Sequence, residues 1–295
     1  MTLDAHAPSN ATGHDGTDFE ARPALTQERR ILGISASAWP GIIAPLVIGI
    51  IALTGWELTV RLREIPTYIL PGPLLIVKTL FEDWTTLAQA LVVTLRITFA
   101  ALIAAVVVGV SLAIIFTQSK WVEKSLLPYA IILQVTPVVA IAPLIIIWVG
   151  DIQLSLLICA WIVAFFPILS NTIVGLNSAD HNLVDLFRLY RASRWQTMWL
   201  LRMPSALPYF MAGLKISGGL ALIGAVVAEF VAGTGGSASG LAYRILESGY
   251  RLQIPRMFAA LLLVSLTGIA IFTITSVISH LALRHWHESA IRREN

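Results

Sequence analysis

Five stretches of this chain run for more than twenty residues without an Asp, Glu, Lys or Arg: 31–56, 97–119, 125–150, 152–179 and 257–279. A sixth, 203–232, is broken only by Lys215 and Glu229. About 20 apolar residues in a helix cross the hydrocarbon core of a bilayer. An unpaired peptide group in lipid is costly, so a spanning segment must satisfy its hydrogen bonds as a helix or within a closed barrel. The two-residue alternation of a barrel strand is missing. The sequence therefore predicts an all-α polytopic membrane bundle of six transmembrane helices. Allowing for ends, the spans fall near 38–58, 88–116, 128–149, 154–175, 208–232 and 257–283.

Composition supports lipid as the solvent. Only 13% of the residues are charged, against about 25% in a soluble domain. The net charge of +3 does not point to nucleic acid, because the basic residues form no patch or stripe and lie between the apolar runs. Cys159, the single cysteine, excludes an intrachain disulfide and reads as a small buried hydrophobe. Residues 1–30 are rich in Asp, His, Thr, Gly and Pro and read as a disordered tail. A signal peptide is not expected there, since the leader carries Asp4, Asp15, Asp18 and Glu20. The bundle then occupies 31–287, with a short tail at 288–295.

Six spans put both termini on one side, and basic residues choose which. With the N-terminus inside, twelve Lys and Arg fall in cytoplasmic segments, among them Lys120, Lys124, Arg188, Arg191, Arg194 and Arg202. Six fall outside: Arg61, Arg63, Lys78, Arg244, Arg251 and Arg256. The positive-inside rule places both termini in the cytoplasm. The first outer loop carries Ile69-Leu70-Pro71-Gly72-Pro73 and an amphipathic stretch over 74–84, suited to the membrane interface.

The longest inner connection, 177–207, holds Asp185-Leu186-Phe187-Arg188-Leu189-Tyr190-Arg191-Ala192-Ser193-Arg194-Trp195-Gln196, and then Leu201-Arg202-Met203-Pro204. This reads as helix, turn, helix. Ser193 and Gln196 have capping-box spacing, which starts a second helix at Ser193. Pro204 and Pro208 are expected to end that helix before the fifth span. A basic, aromatic hairpin outside the lipid fits either a docking element or an ordinary topogenic loop.

The same residues carry a resemblance. Their spacing resembles the EAA loop of permease subunits from binding-protein-dependent ATP-binding-cassette importers, with Asp185 at the acid, Arg191 at the glycine, and Leu201, Met203 and Pro204 at the ending. The similarity runs from about 56 to 287 and includes "ILPGP", "TLRITFA", "VTPVVAIAPLIIIWVG", "FFPILSNTIVGL", "ASRWQ" and "LALIGAVVAEFVAG". Within the superfamily it most resembles nitrate, sulfonate and taurine permeases, whose relatives include pyrimidine-precursor and riboflavin importers. The resemblance implies a type I importer (MetI-like) architecture in the inner membrane, a second permease copy, cytoplasmic ATPase subunits and an extracytoplasmic substrate-binding protein. ATP and Mg²⁺ would belong to the ATPase chain, which closes to swing the pore. The coupling residues would be Asp185, Tyr190, Arg191, Ser193, Trp195 and Pro204. Two departures stand out: Leu186-Phe187 replaces two small residues, and Arg191 replaces the glycine. Should that turn need positive φ, a non-glycine there costs roughly 1 kcal/mol.

No Gly-Lys dipeptide occurs, so a P-loop is absent and ATP hydrolysis is not expected of this chain. Ile216-Ser217-Gly218-Gly219-Leu220 lies inside the fifth span and reads as small residues for close helix contact. Arg96 and Glu229 are charges within spans, expected to neutralise each other, to form part of an outer gate or substrate entry, or simply to snorkel. Pro137, Pro143 and Pro167 should bend the third and fourth helices. With Gln134, Thr136 and Asn171 they are candidates to line the path. His181, His280, His285 and His287 show no metal-ligand spacing. An ion-coupled secondary transporter is the rival, but it usually needs acids near the midplane, and these spans carry none in their central thirds.

Overall fold

The helices follow the apolar runs, and most begin or end where the local chemistry requires it. The computed structural model describes the backbone at 30–31, 34–35, 39–233, 235 and 239–291, with side chains over 43–284 of these. The expected tail over 1–30 lies almost wholly outside the described residues. The described chain divides at Thr54/Gly55 into two units. The first holds a two-residue antiparallel pair, β1 (Arg30–Ile31) with β2 (Ile34–Ser35), and the start of α1 (Trp39–Leu62).

The second unit is all-α. It contains α2 (Pro73–Glu82), α3 (Trp84–Gln118), α4 (Lys120–Val135), α5 (Val138–Val149), α6 (Ile152–Asn177), α7 (His181–Leu189), α8 (Arg194–Thr197), α9 (Met203–Ala232), α10 (Leu241–Tyr250) and α11 (Ile254–Ile291). Ser119 caps α4 through Val122 N–H, and Asp151 caps α6 by accepting from Leu154 N–H at 2.7 Å. Gly150 and Gly233 end α5 and α9 in the left-handed conformation, at φ 71° and 57°. The final helix runs four residues beyond the expected end of the bundle at 287.

Helix α6 is the hub, packed against α3, α5 and α9. Small residues let it approach α9 closely. A Cβ on Gly213 would meet the Pro167 carbonyl at 2.8 Å, and one on Gly224 would meet Ala160 Cα at 2.9 Å. Ser217 donates to the Ala164 carbonyl across the same interface at 2.6 Å. Gly218 faces Ile271 of α11. The small-residue reading of that segment describes what it does.

Two expectations are corrected. The third span is not one helix: α4 and α5 meet at Thr136–Pro137 with a bend of 103°. Pro137 has no N–H for the Leu133 carbonyl, and Thr136 already has extended backbone. The hairpin's second helix does not stop at Pro204 and Pro208. It passes through a π-helical turn, Met198–Arg202, directly into α9, so 194–232 is one apolar-rich rod. A wider turn there accommodates the missing N–H of Pro204.

Candidate functional site

Three places carry the residues the sequence singles out. The first is the hairpin. Asp180 caps α7 by accepting from Asn182 N–H at 2.8 Å, and Asp185, within the helix, pairs with Arg188 at 3.0 Å in the open. Helix α7 ends in a Schellman motif: Ala192 N–H donates to the Phe187 carbonyl and Arg191 N–H to the Arg188 carbonyl, both at 2.9 Å. Arg191 stands at the left-handed position with φ 53°. The expected turn is kept, and arginine bears the conformation that glycine would adopt freely. The capping box is complete, with Gln196 N–H on Ser193 Oγ at 3.2 Å and Ser193 N–H on Gln196 Oε1 at 2.7 Å. Both helix ends at the turn are thus fixed locally. They hold Leu189, Tyr190 and Trp195 at 81%, 81% and 60% exposure. Pro204 lies past the turn, exposed in the first turn of α9.

The second place is the break between α4 and α5. A cavity of about 300 Å³ lies there, lined by Gln134, Thr136, Pro137, Ile162, Pro167 and Leu220, among others. Three of the four candidate pathway residues meet at it. Asn171 does not: its amide donates to the Pro167 carbonyl at 2.9 Å and packs beneath Gly213.

The third is Glu229, which is 3% exposed. Its carboxylate accepts from Thr94 Oγ1 at 2.8 Å and from Ala242 N–H at 3.0 Å, while Leu241 N–H donates to Thr94 Oγ1 at 2.9 Å. A Cβ at Gly240 would collide with that carboxylate. Among the described residues no ion pair joins Glu229 to Arg96, which lies on an exposed side of α3. The expected partnership is replaced by a cap: Glu229 satisfies the start of α10 and ties it to α3. Thr94 and the Gly240-Leu241-Ala242 segment are the residues sequence reasoning missed. Nearby on α10, Arg244 donates to Glu247 at 2.8 Å and holds that carboxyl below its ordinary 4.5.

A bundle with, among the described residues, five helices long and apolar enough to cross a membrane, a further pair broken at a proline, and an aromatic hairpin at one end is built as a polytopic membrane protein. The family described as the binding-protein-dependent transport system inner membrane component matches over residues 105–286, and the chain belongs to that family. A probable ABC transporter permease protein of Haemophilus influenzae is 34% identical over 79% of this chain and 94% of its own length. The riboflavin transport system permease protein RibX of Chloroflexus aurantiacus is 30% identical over 90% of this chain and 98% of its own. Permeases named for sulfonate, taurine and nitrate transport are further relatives. The solved structure of an amino acid ABC transporter with histidines, 17% identical, matches the fold with TM-score 0.54 over 68% of this chain and 96% of that one. The protein is therefore an integral membrane permease subunit of an ABC importer.

Proposed function

We propose that the hairpin 181–202 docks onto a separate P-loop ATPase and that the cavity at the α4–α5 break forms part of the solute path. The carrying observation is the hairpin tip. Two locally fixed helix ends present Leu189, Tyr190 and Trp195 to solvent, although a topogenic loop has no use for buried-type side chains held rigidly in the open. Such residues become binding anchors when a partner covers them. On this reading ATP and Mg²⁺ are held by the partner, and the permease works in the inner membrane as a pair with an extracytoplasmic binding protein. Its cargo is a small solute of the class that the relatives' names describe, from sulfonates and nitrate to pyrimidine precursors and riboflavin.

The test is a pull-down of a P-loop ATPase encoded beside the permease, with uptake measured in parallel. Tyr190→Ala and Trp195→Ala should each cost about 2 kcal/mol of docking, roughly thirtyfold in affinity. Asp185→Lys should also weaken it. All three should leave the melting temperature of the isolated permease unchanged. Arg191→Gly relieves the left-handed strain and should retain the ATPase. Full retention of ATPase and normal uptake in every variant would make the hairpin a topogenic loop only.

A further inference from the structure

A second cavity, of about 530 Å³, lies where α3 meets α4 and the hairpin folds back beneath them. Its walls include Lys120 at the start of α4, Arg188 and Arg194 on the hairpin, and Arg202 at the end of the π turn. No acidic residue lines it. Of the four cations only Arg188 has a carboxylate, Asp185; Lys120, Arg194 and Arg202 make no ion pair among the described residues. The lining hydroxyls do not serve as donors, because Thr117 Oγ1 donates to the Ala113 carbonyl and Thr197 Oγ1 to the Ser193 carbonyl. That leaves the cations and the Gln118 amide as the donors in the cavity.

Four cations with a single nearby carboxylate around one hollow make a locally positive site, which an anion seated among them would offset. We infer that this cavity binds a phosphate group. Three arginine forks match phosphate oxygens better than a single carboxylate would need, and a group carrying one to two negative charges offsets several cations at once. The site lies at the polar end of the spans, where Gln118 closes α3, so a phospholipid headgroup can reach it from the bilayer and a soluble phosphate from the water. That this face is the cytoplasmic one rests on the proposed orientation; the anion site itself does not.

The experiment uses the full chain in nanodiscs of phosphatidylcholine containing a minority of phosphatidylglycerol, read by native mass spectrometry and by melting temperature. A headgroup site retains phosphatidylglycerol over phosphatidylcholine, with retention falling as salt rises. A soluble-phosphate site is stabilised by millimolar inorganic phosphate over chloride at equal ionic strength. Either result supports the inference and names the source. Arg202→Gln should weaken the binding about fivefold, and Lys120→Gln with Arg202→Gln about twenty-fivefold. Equal retention of both lipids with no phosphate effect overturns it, and that measurement on the unaltered chain stands even if a variant misfolds. Binding unchanged in the variants also overturns it. So does loss of ATPase retention with phosphate and lipid binding intact, which would assign the cations to the partner. Tyr190→Ala, run alongside, reports on ATPase docking separately.

Discussion

Glu229 shows how a buried carboxylate is made tolerable without a cation. Its two oxygens take a hydroxyl and a backbone N–H, and the start of α10 supplies the positive end of a helix. Glu57 makes a related cap at α2, there with a cation beside it: its carboxylate accepts from Leu74 N–H at 3.3 Å and from Arg61 Nε at 2.6 Å, and a Cβ at Gly72 would press against it. In both cases a glutamate on a spanning helix caps a ten-residue helix whose first residue follows a glycine. Removing one partner of such a cap leaves a buried group unsatisfied, at about 1–3 kcal/mol. Thr94→Val and Glu229→Leu should each lower the melting temperature in detergent, with losses that do not add in the double variant. Gly240→Ala should be as damaging, since its methyl meets the carboxylate. Arg96→Leu should have no effect; a drop equal to that of Glu229→Leu would restore the ion pair the structure lacks. The capping box and the Arg191 turn were legible because each is written within six residues. Glu229's partner Thr94 lies 135 residues away, and nothing in either segment alone connects them.

At the scale of elements, the runs of apolar residues located the spans but not their continuity. Residues 125–150 are as long and uncharged as a true span, yet α4 and α5 hold 16 and 12 residues, about 24 and 18 Å of helix, and neither alone crosses a 30 Å core. Hydropathy cannot see the break because Pro137 and Thr136 scarcely change the average. Only the missing N–H and the restricted residue before it do. The same blindness hid the opposite case, where two prolines failed to stop the rod 194–232. A proline that follows a wider π turn, such as Pro204, and one preceded by an extended threonine, such as Pro137, differ in context, not in composition. Replacing Pro137 by Ala returns a donor and removes a penalty of roughly 3 kcal/mol against a continuous helix. Pro137→Ala should therefore insert and melt normally while uptake falls at least tenfold, because the cavity at the break closes. Normal uptake in this variant would separate the break from the solute path.

For the whole bundle the question is whether the bent pair crosses the membrane or turns back. Its contacts favour a crossing. Met198 of the hairpin is buried in one cluster with Phe116 at the end of α3, so the hairpin and the start of α4 share one end. At the other end Leu87, Leu241 and Leu263 pack together, and Arg256 pairs with Asp83 at 3.3 Å. The early α6 residue Leu156 packs with Ile97, Ala225 and Ala228, close to Glu229 and hence to that second end. These contacts set the start of the pair at the hairpin end and its exit toward the other, the arrangement of one bent crossing. With the bent pair counted as one, the candidate spans among the described residues number six, and α2 and α10 both lie at the end opposite the hairpin. The expected orientation rests on the termini, since the outer end carries six cations, as many as the α3–α4 turn and the hairpin together. Reporter fusions after Asn177 and after His287 should read cytoplasmic, whereas fusions at Gly150 and Ser248 should read periplasmic. The Gly150 fusion is the decisive one. If it read cytoplasmic, with Asn177 then periplasmic, the bent pair would be a re-entrant loop with its polar break exposed to only one side, and the solute path would have to be sought between α3, α6 and α9 instead.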